Sequence, residues 1–429
     1  MCLNRTQQRV ADAVKQSVDR SLAIHDNPGQ DELEHLLDEA RLSKANVILG
    51  APGTGKTTTA LECVNYTVRN GGKVLFALPT AQLGSRMRKK LQGVRNVDID
   101  TSAAAFALLD KTAMGMPSLS VYDLIYVDEI SQHDAKDFER ILKLWNRVDN
   151  APALLLPGDK WQMRGFGDKR PWNSPLWAMG CSQKYLTRAY RCKDRVFWHV
   201  LDRIRCAQPG PRLVKDFCKA HKAWGAKPTV KDARRVLKRY PKTTMLTCTR
   251  KASTTLNTLA IASKWPRRMP IVVLDGDPES NPENYDKSTM KAPEALKPLR
   301  VPIHKGMKLY LTDNVRKEDD FCNGMLCTAE YYCKKSKGLR VKTDTGKRLM
   351  IYKWNNAFRP GSRAYYPIRP GYASTIMKFQ GAGLEHVAIW LDAPGIEGAA
   401  YTGLSRVATR KDYLLGGWLR SEHFTPVKP

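Results

Sequence analysis

The most specific residue pattern in the chain is a glycine-rich run that ends in lysine and threonine. Residues 50–57 read Gly-Ala-Pro-Gly-Thr-Gly-Lys-Thr and match GxxxxGK[ST] at every fixed position. In such a run the backbone N–H groups surround phosphate oxygens, the lysine reaches the β- and γ-phosphates, and the last hydroxyl ligates Mg²⁺. The run therefore predicts a nucleoside triphosphate site, with ATP and Mg²⁺ as its ligands. The predicted contacts are Gly50, Ala51, Pro52, Gly53, Thr54, Gly55, Lys56, Thr57 and Thr58.

Asp128 and Glu129 are adjacent carboxylates that follow the apolar residues 124–127. At the end of a strand, Asp128 can hold Mg²⁺ and Glu129 can polarise an attacking water. Acidic residues at strand ends are often simply solvated, so this pair alone is weak evidence for a metal site. It becomes strong evidence because the same chain contains the phosphate loop, residues 50–57. Together the two motifs predict an ATPase, or at minimum a protein that binds nucleoside triphosphates.

A parallel sheet is the element that must position these groups, since each motif follows a short apolar run. From residue 46 such runs alternate with longer amphipathic ones, which is typical of parallel strands covered by helices. The predicted strands of this block are 46–49, 73–78, 97–101, 124–127 and 153–156. A second block begins near residue 243, and its predicted strands are 244–247, 271–274, 307–312 and 387–391.

The chain is strongly basic, with 71 Lys and Arg against 42 Asp and Glu among 429 residues, a net charge of +29. Its 42% hydrophobic content supports a folded core, and the charge predicts a polyanionic partner. No apolar run approaches the ~18 residues of a spanning helix, and the N-terminus does not resemble a secretory signal. The cysteine spacings fit neither a zinc finger nor a ribbon. We expect an intracellular protein, in the cytoplasm or nucleus, that does not act at a membrane.

Five further stretches resemble the motifs of superfamily 1 helicases. Residues 3–7 resemble the adenine-sensing glutamine motif, 158–162 motif III, 186–191 motif IV, 374–381 motif V and 401–407 motif VI. With the phosphate loop and the carboxylate pair, all seven motifs lie in the order of that family. The resemblance therefore extends over nearly the whole chain, with little room for an accessory domain. This economy favours a minimal motor from a virus, phage or mobile element.

Two stretches are similar to the Pif and RecD helicases in particular. They are residues 127–131, Val-Asp-Glu-Ile-Ser, and residues 304–314 followed by Asn-Gly at 323–324. In that family the second stretch leads into a small inserted β-barrel. The resemblance implies an α/β fold with two RecA-like parallel-sheet motor domains and a small inserted β-barrel-like subdomain. Met377 and the pair Lys160-Trp161 depart from the family pattern.

The domain boundaries follow from the motif positions. The basic residues 86–90 can form either a wedge that splits a duplex or a solvated helix face. The predicted segments are N-terminal helices with the adenine-reading motif at 1–45, a first RecA-like domain at 46–190 with a wedge-like segment at about 82–100, a second RecA-like domain at 191–325 and 370–429, and the inserted β domain at 326–369.

The resemblance also assigns roles. Gln7 would read the adenine and Gln162 would sense the γ-phosphate, while Arg191 and Arg406 would be arginine fingers from the second motor domain. Alternatively, Gln7 is an exposed helix residue and the two arginines are ordinary surface residues. The implied catalytic residues are Lys56, Glu129, Gln162, Arg191 and Arg406, and the implied metal ligands are Thr57 and Asp128.

The implied substrate is DNA, single-stranded or duplex, on which the protein would act as a monomer with 5′→3′ polarity. Replication proteins are candidate partners. A superfamily 1 RNA helicase and a nucleic-acid-stimulated ATPase switch that does not unwind are the alternatives. The predicted nucleic-acid contacts are Pro79, Thr80, Thr101, Thr249, Arg250, Thr375 and Lys378.

Overall fold

The computed structural model describes residues 3–26, 29–30, 32, 44–108, 118–148, 150, 152–163, 165, 169–284, 296–355 and 364–428. The chain divides into two compact units. The first consists of Met1–Cys206 with Val427–Pro429, and the second of Ala207–Pro426. Within the predicted N-terminal helices at 1–45, positions 31 and 33–43 lie outside the described residues.

The first unit is built on a six-stranded sheet whose strands all run parallel, in the order β3-β2-β4-β5-β1-β6. Its strands are β1 Ala45–Gly50, β2 Val74–Leu78, β3 Val97–Thr101, β4 Leu124–Val127, β5 Ala153–Gly158 and β6 Cys181–Leu186. The five predicted strands of this block are confirmed. The sixth, β6, was not predicted, because it lies at an edge and alternates buried with exposed residues instead of forming an apolar run.

Helices cover both faces of this sheet, because its central strands are apolar at successive positions. Val47 and Leu49 pack into one buried cluster with Phe138, whereas Ile48 packs into the opposite cluster with Val10. The helices are α1 Arg5–His25, α2 Lys56–Arg69, α3 Ala81–Lys90, α4 Ser102–Ala105, α5 Ala135–Trp145, α6 Pro175–Gly180 and α7 Arg195–Cys206.

The proposed wedge segment, about 82–100, is part of this unit. It comprises most of α3 and of β3, which pairs parallel with β2. Its basic residues Arg88, Lys89 and Lys90 lie in the last turn of α3, where positive charge interacts favourably with the helix dipole. One of them, Arg88, donates to the carbonyl of Ile99 at 3.0 Å. Any role of this helix in splitting a duplex stays a prediction.

The second unit contains a five-stranded parallel sheet, a five-stranded antiparallel sheet and a separate antiparallel pair, β9 and β10. The parallel sheet has the order β16-β8-β17-β18-β7, and the antiparallel sheet the order β14-β13-β12-β11-β15. The strands are β7 Lys222–Trp224, β8 Thr244–Thr247, β9 Val272–Gly276, β10 Leu299–Ile303, β11 Lys308–Leu311, β12 Leu326–Cys333, β13 Gly338–Thr343, β14 Arg348–Ile351, β15 Ile368–Pro370, β16 Ala373–Thr375, β17 Val387–Trp390 and β18 Tyr413–Gly416. Its helices are α8 Pro211–Ala220, α9 Val230–Arg239, α10 Arg250–Lys264 and α11 Ala399–Leu404.

Two predicted strands of the second block do not belong to its parallel sheet. The strands at 271–274 and 307–312 were assigned to the parallel block, but β9 pairs antiparallel with β10, and β11 pairs antiparallel with β12 and β15. Periodicity identifies such strands but not their partners, since strand direction depends on the connections that tertiary packing selects. The antiparallel part thus begins before the expected boundary at residue 326.

The predicted fold class is confirmed: the chain is α/β, with two parallel sheets and an antiparallel subdomain. Among the helices of the described residues, none is long and apolar enough to cross a membrane.

Candidate active site

The phosphate loop connects β1 to α2 and turns twice through the left-handed region. Gly53 has a φ of +82° and Gly55 a φ of +92°, where residues with side chains are strained. A Cβ on Gly53 would lie 2.5 Å from Cβ of Arg191, and one on Gly55 would collide with the side-chain amide of Gln7. The glycines therefore bend the loop and also leave space for Gln7 and Arg191 beside it.

Lys56 begins α2 and its ammonium group closes the loop. Its Nζ donates to the carbonyl oxygens of Gly50 at 2.6 Å and Ala51 at 3.2 Å. The residue is only 9% exposed, so its charge stays within the loop where the pattern predicts phosphate. The same charge acts to lower the pKa of Asp128, which places the lysine and the carboxylate in one electrostatic site.

Tyr126 links the two predicted metal ligands. Its hydroxyl donates to Oδ1 of Asp128 at 2.7 Å and is also hydrogen-bonded to the side chain of Thr57. The ring is fully buried. Desolvation, followed by the charge of Asp128, raises the pKa of Tyr126, so the phenol stays protonated and can keep donating. Thr57 and Asp128 are thereby brought to the same phenol oxygen, although 71 positions separate them in the chain.

Desolvation raises the pKa of Asp128, and three groups act against it: the Tyr126 hydroxyl, the Lys56 ammonium and the Glu129 backbone N–H. A cation at this position would favour the ionised carboxylate in the same way. The hydroxyl of Thr57 and the carboxylate of Asp128 are oxygen donors of the kind that Mg²⁺ prefers, so these residues fit the metal. Among the described residues, no cluster of three or more His, Cys, Asp or Glu side chains could hold a metal.

Glu129 follows directly, and its backbone has a left-handed φ of +51°. A non-glycine residue in this region is uncommon and often marks a functional position. The side chain is 7% exposed. Its negative charge acts to raise the pKa of Arg191, against the larger desolvation effect that lowers it. The carboxylate is therefore held inside the site and is electrostatically coupled to Arg191.

Gln7 joins the N-terminal helix α1 to the phosphate loop and is 3% exposed. Its Nε2 donates to the carbonyl of Thr54 at 3.3 Å, and its Oε1 accepts from the backbone N–H of Asn4 at 3.0 Å. The Tyr190 hydroxyl lies 3.5 Å from the same Oε1 and accepts from Nδ2 of Asn4 at 2.6 Å. Gln7 is thus not an exposed helix residue, and its amide lies against the loop.

Gln162 is 2% exposed and lies beyond the end of β5. Its Nε2 is 3.3 Å from Oδ2 of Asp159, and Oδ1 of Asp159 accepts from the backbone N–H of Trp161 at 3.1 Å. The backbone N–H of Asp159 donates to Ser131 Oγ, close after the carboxylate pair. The segment that carries Gln162 is therefore hydrogen-bonded to the segment that follows Glu129.

Arg191 lies in the first unit, whereas we expected it to reach the site from the second motor domain. The backbone N–H groups of Tyr190 and Arg191 donate to the carbonyl of Gly53 at 2.8 and 3.2 Å. The reason is topological: β6 pairs with β1 as far as Leu186 opposite Gly50, so the segment after β6 passes the phosphate loop. The first unit accordingly ends at residue 206 and not at 190.

Arg406 is 1% exposed within the second unit, so it is not an ordinary surface arginine. Its Nε donates to the carbonyl of Thr402 at 2.8 Å, and its Nη1 to that of Phe379 at 3.1 Å. Its Nη2 donates to Ser405 Oγ at 2.8 Å. The bond to Phe379 connects the predicted motif VI to the predicted motif V.

Three of the predicted nucleic-acid contacts are N-caps of helices that follow parallel strands. The hydroxyls of Thr80, Thr101 and Thr249 each accept from the backbone N–H three residues later, at 3.3, 3.3 and 3.2 Å. The Thr249 hydroxyl also donates to Asp392. Capping alone accounts for these residue types. Pro79, which precedes the first cap, is half-buried.

The remaining predicted contacts lie near one cationic group of the second unit. Desolvation, followed by the charges of Arg369 and Arg250, lowers the pKa of Lys378 to about 7. Thr375, the last residue of β16, is half-buried and precedes the short helix that carries Lys378. Arg369 lies over the ring of Tyr310 at 4.8 Å and donates to Ser374 Oγ at 2.9 Å. A group of neighbouring cations, Lys378, Arg369 and Arg250, suits an anionic ligand.

Sequence reasoning missed Tyr126, Tyr190 and Arg369. Tyr126 had a signal, since it lies two residues before Asp128 on a strand and therefore shares its face. Tyr190 directly precedes a predicted site residue. Arg369 had no signal in the sequence, because only strand pairing places it near Lys378.

Comparisons with known proteins agree with this arrangement. Residues 25–217 match the family model described as an AAA domain. The structure resembles Bacteroides Pif1 bound to single-stranded DNA (TM-score 0.64, 16% identity, 93% of this chain and 94% of that chain). It also resembles the Pif1 helicase from Candida albicans (0.62, 16%, 92% and 96%). A third similar structure is Bacteroides Pif1 helicase in complex with ADP-AlF3 and single-stranded DNA (0.59, 16%, 93% and 94%).

No curated protein matches the sequence significantly. At this identity the structural likeness establishes the fold. The resemblance to the Pif and RecD helicases, predicted from the motifs, is confirmed at that level.

Proposed function

We propose that this protein is an ATP-dependent helicase that translocates 5′→3′ along single-stranded DNA and unwinds duplexes. One observation carries the proposal: Lys56 and Thr57 of the phosphate loop lie in one site with Asp128 and Glu129, in a fold shared with Pif1 helicases over more than nine-tenths of the chain. The polarity and the preference for DNA rest on the family resemblance alone.

In this proposal the phosphate loop binds ATP through its backbone N–H groups and the Lys56 ammonium. Thr57 and Asp128 hold Mg²⁺, with Tyr126 fixing the distance between them. When bound, the metal neutralises charge on the phosphates. Glu129 orients the attacking water.

Gln162, Arg191 and Arg406 complete the proposed catalytic set. The Gln162 amide senses the γ-phosphate, and the two guanidinium groups neutralise charge that develops during phosphoryl transfer. Arg191 is already beside the phosphate loop and coupled to Glu129. Gln7 reads the adenine, for which its position against Thr54 is suitable.

Single-stranded DNA is the proposed track because two of the similar Pif1 structures contain it. The proposed contacts are Pro79, Thr80, Thr101, Thr249, Arg250, Thr375 and Lys378. For the capping threonines, backbone N–H groups in the first turn of the following helix are the donors that suit phosphate. Such contacts are independent of sequence, as translocation requires.

The test is strand displacement on DNA and RNA duplexes with 5′ or 3′ tails, together with ATPase assays with and without single strands. We expect unwinding of 5′-tailed DNA and ATPase stimulated by DNA. Lys56→Ala should lower both by about 10²-fold or more, because it removes a cation from the phosphates. Lys143→Ala, which changes an exposed lysine of α5 in the same unit, is the matched control and should leave both unchanged.

Unwinding only of 3′-tailed substrates would contradict the polarity, and unwinding only of RNA would contradict the choice of DNA. Stimulated ATPase without unwinding of any substrate would favour an ATPase switch. An active Lys56→Ala enzyme would overturn the assignment of the site.

A further inference from the structure

The antiparallel sheet of the second unit has one face packed inward and one open to solvent. On β12, β13 and β14, residues such as Ala329, Val341 and Ile351 are at most 1% exposed and form the inner face. The pairing places Tyr331 opposite Arg340, and Arg340 opposite Met350. The outer face consists of Thr328, Glu330, Tyr331, Arg340, Lys342, Arg348, Met350 and Tyr352.

Two tyrosines dominate the outer face. Tyr331 is 52% exposed and Tyr352 48% exposed, whereas buried tyrosines elsewhere in this unit, such as Tyr365, are at most a few per cent exposed. Gly338 leaves room for the Tyr352 ring to lie against β13, since a Cβ at this position would lie 2.8 Å from that ring and from the Met350 sulfur. Exposed aromatic rings on a sheet face can stack on unpaired bases.

The charge around these rings is positive. Residues 326–355 contain eight basic and two acidic residues. One of the acidic residues, Glu330, is paired with Arg348 at 3.2 Å and faces Arg340 at 3.9 Å. The other cation of the outer face, Lys342, is exposed. The face therefore offers positive charge to a ligand that also carries planar apolar groups.

We propose that the outer face is a further binding surface for single-stranded nucleic acid, with bases stacked on Tyr331 and Tyr352 and phosphates bound by Arg340, Lys342 and Arg348. Aromatic rings interleaved with cations suit a single strand better than a duplex, whose bases are already stacked. None of the helicase-like motifs includes these residues. The inference rests on the proposed function only in taking nucleic acid as the ligand.

The test is binding of fluorescein-labelled single strands to the full chain without nucleotide, measured by anisotropy. Changing both tyrosines to Ala should weaken binding about tenfold, because stacking is lost. Changing both to Phe should keep affinity within about twofold, since the rings remain. Tyr185→Ala is the matched control, because Tyr185 is 49% exposed on the edge strand β6 of the first unit. It should bind like the wild type.

A second measurement does not depend on the variants being folded. Single strands with 5-iodouracil, irradiated with the wild-type protein, should crosslink to peptides that contain Tyr331 or Tyr352. Wild-type affinity in the double Ala variant, or crosslinks that all fall elsewhere, would overturn the inference.

The outcomes separate this inference from the proposed function. If the double Ala variant keeps its affinity and its ATPase is still stimulated by DNA, only the proposed binding role of the outer face is refuted. If the double Ala variant binds more weakly but the wild-type enzyme unwinds no substrate, only the helicase proposal is refuted. If the wild-type chain binds no single strand, both proposals are refuted.

Discussion

Tyr126 joins the two parts of the proposed metal site through a single hydroxyl. It donates to Asp128 and is hydrogen-bonded to Thr57, so it sets the relative positions of a hydroxyl and a carboxylate from different elements. It also opposes the desolvation that raises the pKa of Asp128. We therefore regard Tyr126 as a positioning residue that acts through both proposed Mg²⁺ ligands.

Tyr126→Phe should shift the acid limb of the ATPase pH profile to higher pH and raise the Mg²⁺ concentration needed for half-maximal rate. The sign follows from the lost hydrogen bond: the pKa of Asp128 rises further, so less carboxylate is ionised at a given pH. Steady-state ATPase assays over pH and Mg²⁺ concentration measure both effects.

Tyr122→Phe is the matched control, because the Tyr122 hydroxyl donates to Asp98 at 2.8 Å in the same unit but away from the phosphate loop. Tyr122→Phe loses one hydrogen bond and Tyr126→Phe two, each worth about 1 kcal/mol of stability. Only Tyr126→Phe should change the pH and Mg²⁺ profiles. Identical profiles for the two variants would show that Tyr126 has no more than a packing role.

At the scale of elements, threonine caps connect the parallel strands to the helices that follow them. Thr249 shows this most fully, because its hydroxyl caps α10 and also donates to Asp392, which follows β17. Asp392 in turn accepts from the backbone N–H of Cys248 at 2.8 Å. The cap thereby fixes the ends of two neighbouring parallel strands where the resemblance predicts nucleic-acid contact.

Thr249→Ala should lower the free energy of unfolding by about 1–2 kcal/mol, because the cap and the bond to Asp392 are both lost. Urea denaturation measures this. Thr255→Ala, an exposed position inside the same helix, is the control and should cost little, since Ala is the better helix former. Equal denaturation midpoints for the two variants would refute the capping role.

At the scale of the molecule, the positive charge is unequally divided. The second unit has 40 basic and 19 acidic residues, a net charge of +21, and the first has 31 and 23, a net charge of +8. Both the proposed outer face and the cationic group around Lys378 belong to the second unit. Its field should therefore contribute most to the attraction of a polyanion.

Binding of single-stranded DNA should weaken steeply with salt. If about five phosphates are neutralised, the slope of log K against log salt should be about −3.5, since each contributes ~0.7. Anisotropy titrations at several chloride concentrations measure the slope. A methylphosphonate strand of the same sequence, which lacks backbone charge, should bind weakly with little salt dependence. A slope near zero for DNA would contradict a charged track.

The sequence by itself determined the phosphate loop, the carboxylate pair and five strands of the first sheet. These features are local: the glycine turns, the capped helix and the apolar runs each depend on residues close together in the chain. The order of the seven motifs then implied the fold through the resemblance to superfamily 1 helicases.

Only the tertiary structure decided which distant residues meet. It brought Tyr126 between Thr57 and Asp128, placed Arg191 beside Gly53, and paired β9 and β11 antiparallel. Strand order, direction and register depend on packing between segments far apart in the chain, and local residue patterns do not encode these partners.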